Sequence, residues 1–141
     1  MGEDPGALAT AKMRLASFLS TGSDDVASAE RAAAEAIELL RGTDDAGRLA
    51  AALNERAWLL GMAGDFQGQL EGCREALALA EEAGESEVVL HTVGAMAGAL
   101  ALLGDFRGAD ELHPRAMSLA RATGDRGQIG WQAAEIGRAH V

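Results

Sequence analysis

Apolar residues along this chain recur at helical spacing. Leu49, Leu53, Ala57 and Leu60, for example, fall three or four positions apart and so share one face of a helix. Glycine, acidic and hydroxyl residues interrupt the apolar pattern at short intervals. We therefore predict about seven helices, over roughly 5–20, 25–41, 44–62, 66–82, 87–102, 106–122 and 126–140.

The ends of these predicted helices carry residues that favour helix capping. Ser, Thr, Asp and Asn side chains satisfy the free amides of a first turn. The predicted caps, one for each of the first six helices, are Asp4, Ser23 or Asp24, Thr43, Asp65, Ser86 and Asp105. Connections of only a few residues require consecutive helices to be antiparallel neighbours.

A repeat organises these helices into hairpins. The triplet Gly64-Asp65-Phe66 returns 40 positions later as Gly104-Asp105-Phe106, and many flanking residues keep the same spacing. A period of this length is typical of stacked supersecondary units that bury a continuous core. We predict one domain, 1–141, with repeats over roughly 5–42, 43–84 and 85–124 and a half repeat over 125–141.

The repeat resembles the tetratricopeptide repeat (TPR). The residues that carry the resemblance in the two clearest copies are Ala57, Leu60, Gly64-Asp65-Phe66, Gln69, Cys73, Ala76 and Leu77, then Ala97, Leu100, Gly104-Asp105-Phe106, Ala109, His113, Ala116 and Met117. The family period is 34 residues, and Gln69 replaces a small residue. The longer period is similar to arrays in large bacterial regulators.

This resemblance implies an all-α fold, with antiparallel helix hairpins stacked as a right-handed superhelix, an α-solenoid. It also implies part of a bacterial regulatory protein, and the absence of a cysteine framework fits the reducing cytoplasm. The predicted core consists of Leu53, Ala57, Leu60, Phe66, Ala76, Leu77, Leu79, Leu100, Phe106 and Leu119. With Phe66 and Phe106 wedged between repeats, Phe106→Ala should cost roughly 3–5 kcal/mol.

In such arrays the first helix of each hairpin lines a concave face. The residues predicted to bind a partner there are Asn54, Trp58, Met62, His91, Gly94, Gly98, Trp131 and Arg138. Further positions on the same predicted face, outside this binding set, are Arg14, Phe18, Ala51, Leu102 and Ala134. Gly94 and Gly98 are one helical turn apart, and either a ligand or a neighbouring helix of the same chain would explain them.

Charge and chemistry narrow the possible functions. The net charge of −10 argues against nucleic acid and anionic membrane surfaces, which need a basic face. The three histidines lie on separate predicted helices, Cys73 is the single cysteine, and no phosphate-binding or nucleophile motif occurs. We expect no enzyme activity, no cofactor and no metal site, and an inert, buried Cys73.

The sequence thus favours a scaffold that binds a protein or peptide, with a sensor of small ligands as the alternative. The last helix keeps an apolar stripe formed by Ile129, Ala133, Ile136 and His140. Repeat arrays normally end in a polar capping helix. A second copy covering this stripe would give a homodimer, and a fragment of a longer array would also explain it.

Overall fold

Seven α-helices form within the part of the chain that a computed structural model describes, residues 4–22 and 25–139, with the side chains of 22, 132 and 135–139 left out. They are α1 (Pro5–Gly22), α2 (Val26–Arg41), α3 (Ala46–Met62), α4 (Phe66–Ala83), α5 (Ser86–Leu102), α6 (Phe106–Thr123) and α7 (Arg126–Ala139). No strand occurs in these ranges. The all-α prediction is confirmed, with helix ends within two residues of those predicted.

The repeated Gly-Asp pair makes the turn inside each hairpin. Gly64 has a left-handed φ of 87°, a conformation that glycine adopts without steric cost. Its N–H donates to the Gly61 carbonyl at 3.0 Å, and the Asp65 N–H donates to the Leu60 carbonyl at 2.9 Å. These two bonds are the Schellman ending of a helix. The Asp65 carboxylate then accepts from the Gly68 N–H at 2.8 Å, so one aspartate closes α3 and starts α4.

Acidic residues begin six helices at a spacing of 20 residues. They are Asp25, Asp45, Asp65, Glu85, Asp105 and Asp125. All except Glu85 accept a hydrogen bond from the amide three positions later. This half-repeat spacing keeps the helices nearly equal in length, which lets successive hairpins superimpose in a stack.

Several predicted caps were wrong. The Thr43 hydroxyl donates to the Leu40 carbonyl at 2.7 Å, while Asp45 caps α3. Ser86 is the first residue of α5, after Glu85. The alternatives predicted for α2, Ser23 and Asp24, lie outside the described residues, and Asp25 is its cap.

Alanine dominates the core and lets the helices pack closely. Each helix packs on the next one in the chain. In addition, α3 packs on α5, and α5 packs on α7. At the α3–α4 contact, a Cβ placed on Gly72 would lie 3.2 Å from the Cβ of Ala57. The arrangement is a solenoid of helical hairpins, as the 40-residue period predicted.

The predicted core was right for Leu53 and the two alanines and too generous for the other large residues. Leu53, Ala57 and Ala76 are buried, while the half-buried positions are Leu60, Phe66, Leu77, Leu79, Leu100 and Leu119. Phe106 is 59% exposed, so its assignment to the core was wrong, and we now expect its truncation to cost less than the roughly 3–5 kcal/mol of a core aromatic residue. Phe66 shares a groove with the next repeat's α5, whereas Phe106 is followed by α7 alone within the described residues.

Ion pairs join the second helices of successive repeats. Arg41 of α2 lies 2.6 Å from Glu75 of α4, and Glu81 of α4 pairs with Arg115 of α6. Glu81 stands 40 positions after Arg41, and Arg115 stands 40 positions after Glu75. The two pairs therefore occupy equivalent places with their charges exchanged.

Candidate functional site

The first helices of the hairpins, α1, α3 and α5, together with α7, enclose a groove of about 710 Å³. We call it the central groove. Residues from α4, which include Phe66 and Gln69, complete its wall. The regular offset between hairpins brings first helices side by side, so residues 40 positions apart in sequence meet on one surface.

Most of the residues predicted to bind a partner line this groove. These are Asn54, Trp58, Met62, His91, Gly94, Gly98 and Trp131, and Leu102 joins them. Arg138 belongs to α7, but its side chain lies outside the described set. Whether the groove binds anything stays a prediction.

The further positions predicted on the concave face, apart from Leu102, are dispersed. Arg14 and Ala51 line a separate hollow of about 370 Å³ between α1 and α3. Phe18 and Ala134 are exposed and absent from the lining of the central groove. This hollow shares Ser17 and Glu55 with the central groove, so the two adjoin.

Large apolar side chains in the groove remain open to solvent. Trp58 is 45% exposed, Met62 47%, Leu102 65% and Trp131 50%. They come from three helices and share one lining. Clustered apolar exposure of this kind marks interaction surfaces more often than isolated exposed residues do.

Glycines of α5 form part of the groove floor. Gly94 is buried, whereas a Cβ added at Gly98 would meet no atom within 4 Å. Close packing by a neighbouring helix therefore does not explain Gly98. A missing side chain here leaves room for the backbone of another molecule to approach α5.

Polar groups in the groove are mainly amides and hydroxyls, with one carboxylate and one imidazole. Thr92 donates to the Asn54 side-chain oxygen at 3.0 Å, which fixes that amide between α3 and α5. The lining contains the carboxylate of Glu55 and the imidazole of His91, but none of the lining residues is Lys or Arg. His91 Nε2 lies 3.6 Å from Oδ2 of Asp125, so a second carboxylate stands beside the groove.

Sequence reasoning missed several lining residues. Ser17, Ser20 and Thr21 enter the groove from the end of α1, while Gln69 enters from α4. Gln69 did leave a signal, because it stands where the resembling family has a small residue. Gly61 makes room for it, since a Cβ at Gly61 would collide with the Gln69 amide.

Groups that could act in metal or thiol chemistry are dispersed over the described residues. No cluster of three or more His, Cys, Asp or Glu side chains that could hold a metal ion occurs among them. Burial raises the pKa of the Cys73 thiol to about 12, which keeps it protonated and unreactive at neutral pH. His113 is buried in α6.

The stacked hairpins define a helical-repeat protein with a TPR-like fold. The N-terminal domain of stress-induced protein-1 (STI-1) from C. elegans matches with a TM-score of 0.74 and 17% identity, over 94% of this chain and 98% of that domain. The TPR domain of Arabidopsis FLU matches with a TM-score of 0.76 and 20% identity, over 86% and 100%. At such identities the likeness shows the fold alone.

The sequence itself matches no protein-family model and no curated protein. Within the described ranges, none of the helices combines the length and the apolar character needed to cross a membrane.

Proposed function

We propose that this protein is a non-catalytic scaffold that binds a peptide segment of a partner protein in the central groove. The observation that carries the proposal is the gathering of exposed Trp58, Met62, Leu102 and Trp131 on one concave surface. Aromatic side chains in such positions are the usual anchors of protein interfaces. The open floor at Gly98 adds space for a bound backbone.

The proposal includes a wider setting. We place the chain in a bacterial regulatory protein of the cytoplasm, on the strength of its resemblance to long-period TPR arrays. A protein or peptide partner suits its net charge of −10 better than nucleic acid or an anionic membrane does.

A sensor of small ligands is the second candidate. The groove volume of about 710 Å³ falls within the range of roughly 300–1,000 Å³ that is usual for small-molecule sites. In that case a compact ligand would depend on a few lining residues and leave the ends of the groove free. A peptide would instead contact α3, α5 and α7 together.

Self-association through α7 is a further proposal. Of the predicted apolar stripe on this helix, Ala133 is exposed and Ile129 is half-buried, so a second copy could cover this face; the side chain of Ile136 and residue His140 lie outside the described residues. Sedimentation over a hundredfold range of concentration tests it. A monomer at every concentration would exclude the homodimer.

Affinity capture with matched variants tests the scaffold function. The wild-type chain, Trp58→Ala, Trp131→Ala and the control Phe106→Ala serve as baits in parallel. Phe106 is an exposed aromatic residue outside the groove lining, so its truncation controls for general loss of apolar surface.

A partner of the groove should be retained by the wild type and the control and lost from both tryptophan variants. In titrations with the identified partner, loss of an aromatic anchor should weaken binding by about 2 kcal/mol, or roughly 30-fold. Equal binding by all four folded baits would exclude the groove as the binding site.

A further inference from the structure

The lining of the central groove also indicates which kind of peptide it would accept, an inference that rests on the proposed function. Large apolar side chains of a peptide would pack against the apolar part of the lining, above all Trp58, Met62 and Leu102. Burying these surfaces would supply most of the affinity, since burial of apolar surface is the main favourable term in protein association. Apolar contact alone, however, does not select charge.

Charge is selected by the remaining groups. A carboxylate or phosphate entering the groove would lose hydration without meeting a Lys or Arg, because the lining has neither. A cationic side chain would meet Glu55, which has no ion pair within the described part of the chain. The carboxylate of Asp125, beside His91, adds to the same negative potential.

An unused acceptor points in the same direction. The side-chain oxygen Oε1 of Gln128 is buried and has no hydrogen-bond partner among the described residues. Gln128 belongs to the groove lining. Buried acceptors are rarely left unpaired in folded proteins because the loss of hydration is costly. A ligand that brings an N–H group to this oxygen would satisfy it.

We propose that the central groove binds a peptide segment in which large apolar side chains stand next to Arg or Lys. The apolar side chains cover the exposed tryptophans and Leu102. The cationic group lies towards Glu55, and an N–H of the peptide donates to Gln128 Oε1. Acidic peptides are disfavoured in the groove itself, because the neighbouring arginines, Arg14 and Arg48, line only the adjoining hollow.

A random dodecapeptide library displayed on phage tests this proposal. Peptides selected on the wild-type chain should be enriched in Arg or Lys beside Leu, Phe or Trp. One selected peptide, synthesised with a fluorescent label, is then titrated against the wild type, Glu55→Gln, and the control Glu87→Gln. Glu87 is an exposed acid of α5 outside the lining, so both variants lose the same charge.

Glu55→Gln should weaken binding about tenfold, in line with close interfacial charge pairs, and reduce the dependence of binding on salt. Glu87→Gln should leave binding within about twofold of the wild type, since Glu87 is exposed and outside the lining, where salt screens its charge. Gln128→Leu should weaken binding without lowering the stability of the free protein, because it removes an acceptor that the free protein leaves unpaired. A loss of stability would instead assign Gln128 a structural role.

The two proposals fail in different ways. Selected peptides that lack basic residues, or that ignore Glu55→Gln, but still require Trp58 would overturn the inference on charge alone. Peptides that bind Trp58→Ala and Trp131→Ala as well as the wild type would overturn the groove itself. A library that yields no binder would overturn both.

Discussion

Gly98→Ala should stabilise the free protein and weaken its binding to a partner. Gly98 lies inside α5 (Ser86–Leu102), where glycine lowers helix stability by up to about 1 kcal/mol relative to alanine. A Cβ at this position would meet no atom within 4 Å, so the substitution adds no clash. The free energy of unfolding should therefore rise by about 0.5–1 kcal/mol.

A second glycine provides the contrast. At Gly72 of α4 the added Cβ would lie 3.2 Å from the Cβ of Ala57, so two backbones would have to separate. Gly72→Ala should gain the same helix propensity but lose packing between α3 and α4. We expect a net loss of about 1 kcal/mol or more, as for other overpacked cores.

Urea denaturation followed by circular dichroism measures both effects. In thermal melts, the gain at Gly98 corresponds to a rise of roughly 2–4 °C for a domain of this size. Gly130→Ala is the matched control, because Gly130 also has open space around it but lies outside the groove lining. It should not change binding.

A fall in the stability of Gly98→Ala would refute this reasoning. It would mean that α5 is packed against another part of the chain at this point, and the open floor of the groove would be lost. A rise in stability with unchanged affinity would keep the fold as described but remove Gly98 from the binding surface.

Three further outcomes follow from packing and charge. Phe66→Ala should lower the free energy of unfolding in urea by about 1–2 kcal/mol. Phe106→Ala should lower it by less than about 1 kcal/mol, since that ring is 59% exposed. Equal losses would contradict the difference between the repeats. Glu75→Arg should lower the free energy of unfolding by up to about 1 kcal/mol, because it places two arginines together. Adding Arg41→Glu should restore stability in the double variant. No recovery would exclude the ion pair. Burial raises the pKa of Cys73 from 9.0 to about 12. The stability that this thiol contributes is therefore complete below pH 9 and is lost as the pH rises towards 12. Unfolding curves of Cys73→Ala should lack this alkaline decline.

The sequence was sufficient to predict the hairpins because their turns are encoded locally. Gly64 supplies the left-handed φ and Asp65 supplies the cap, and both requirements act over a few residues. The cap of α3 was misassigned to Thr43 because threonine and aspartate have similar preferences. Only the geometry shows the Asp45 carboxylate 3.0 Å from the Arg48 amide.

The groove was partly predictable for a related reason. Helical spacing and the repeat placed Trp58 and Gly98 on equivalent faces, and the structure brings them to one lining. Exposure, however, depends on the neighbours of each residue in three dimensions. Phe66 and Phe106 stand in the same Gly-Asp-Phe triplet, but only Phe66 has a complete following hairpin beside it within the described residues, so the triplet could not distinguish them.

The exchanged ion pairs give the repeats a fixed order. If the hairpin α3–α4 were deleted, α2 would adjoin α6, and Arg41 would face Arg115 where it now faces Glu75. Two arginines in that position would repel each other, although the deletion preserves the 40-residue period and the apolar core. Neighbouring hairpins are therefore not interchangeable at this contact, because the sign of the charge that each second helix presents depends on its place in the stack.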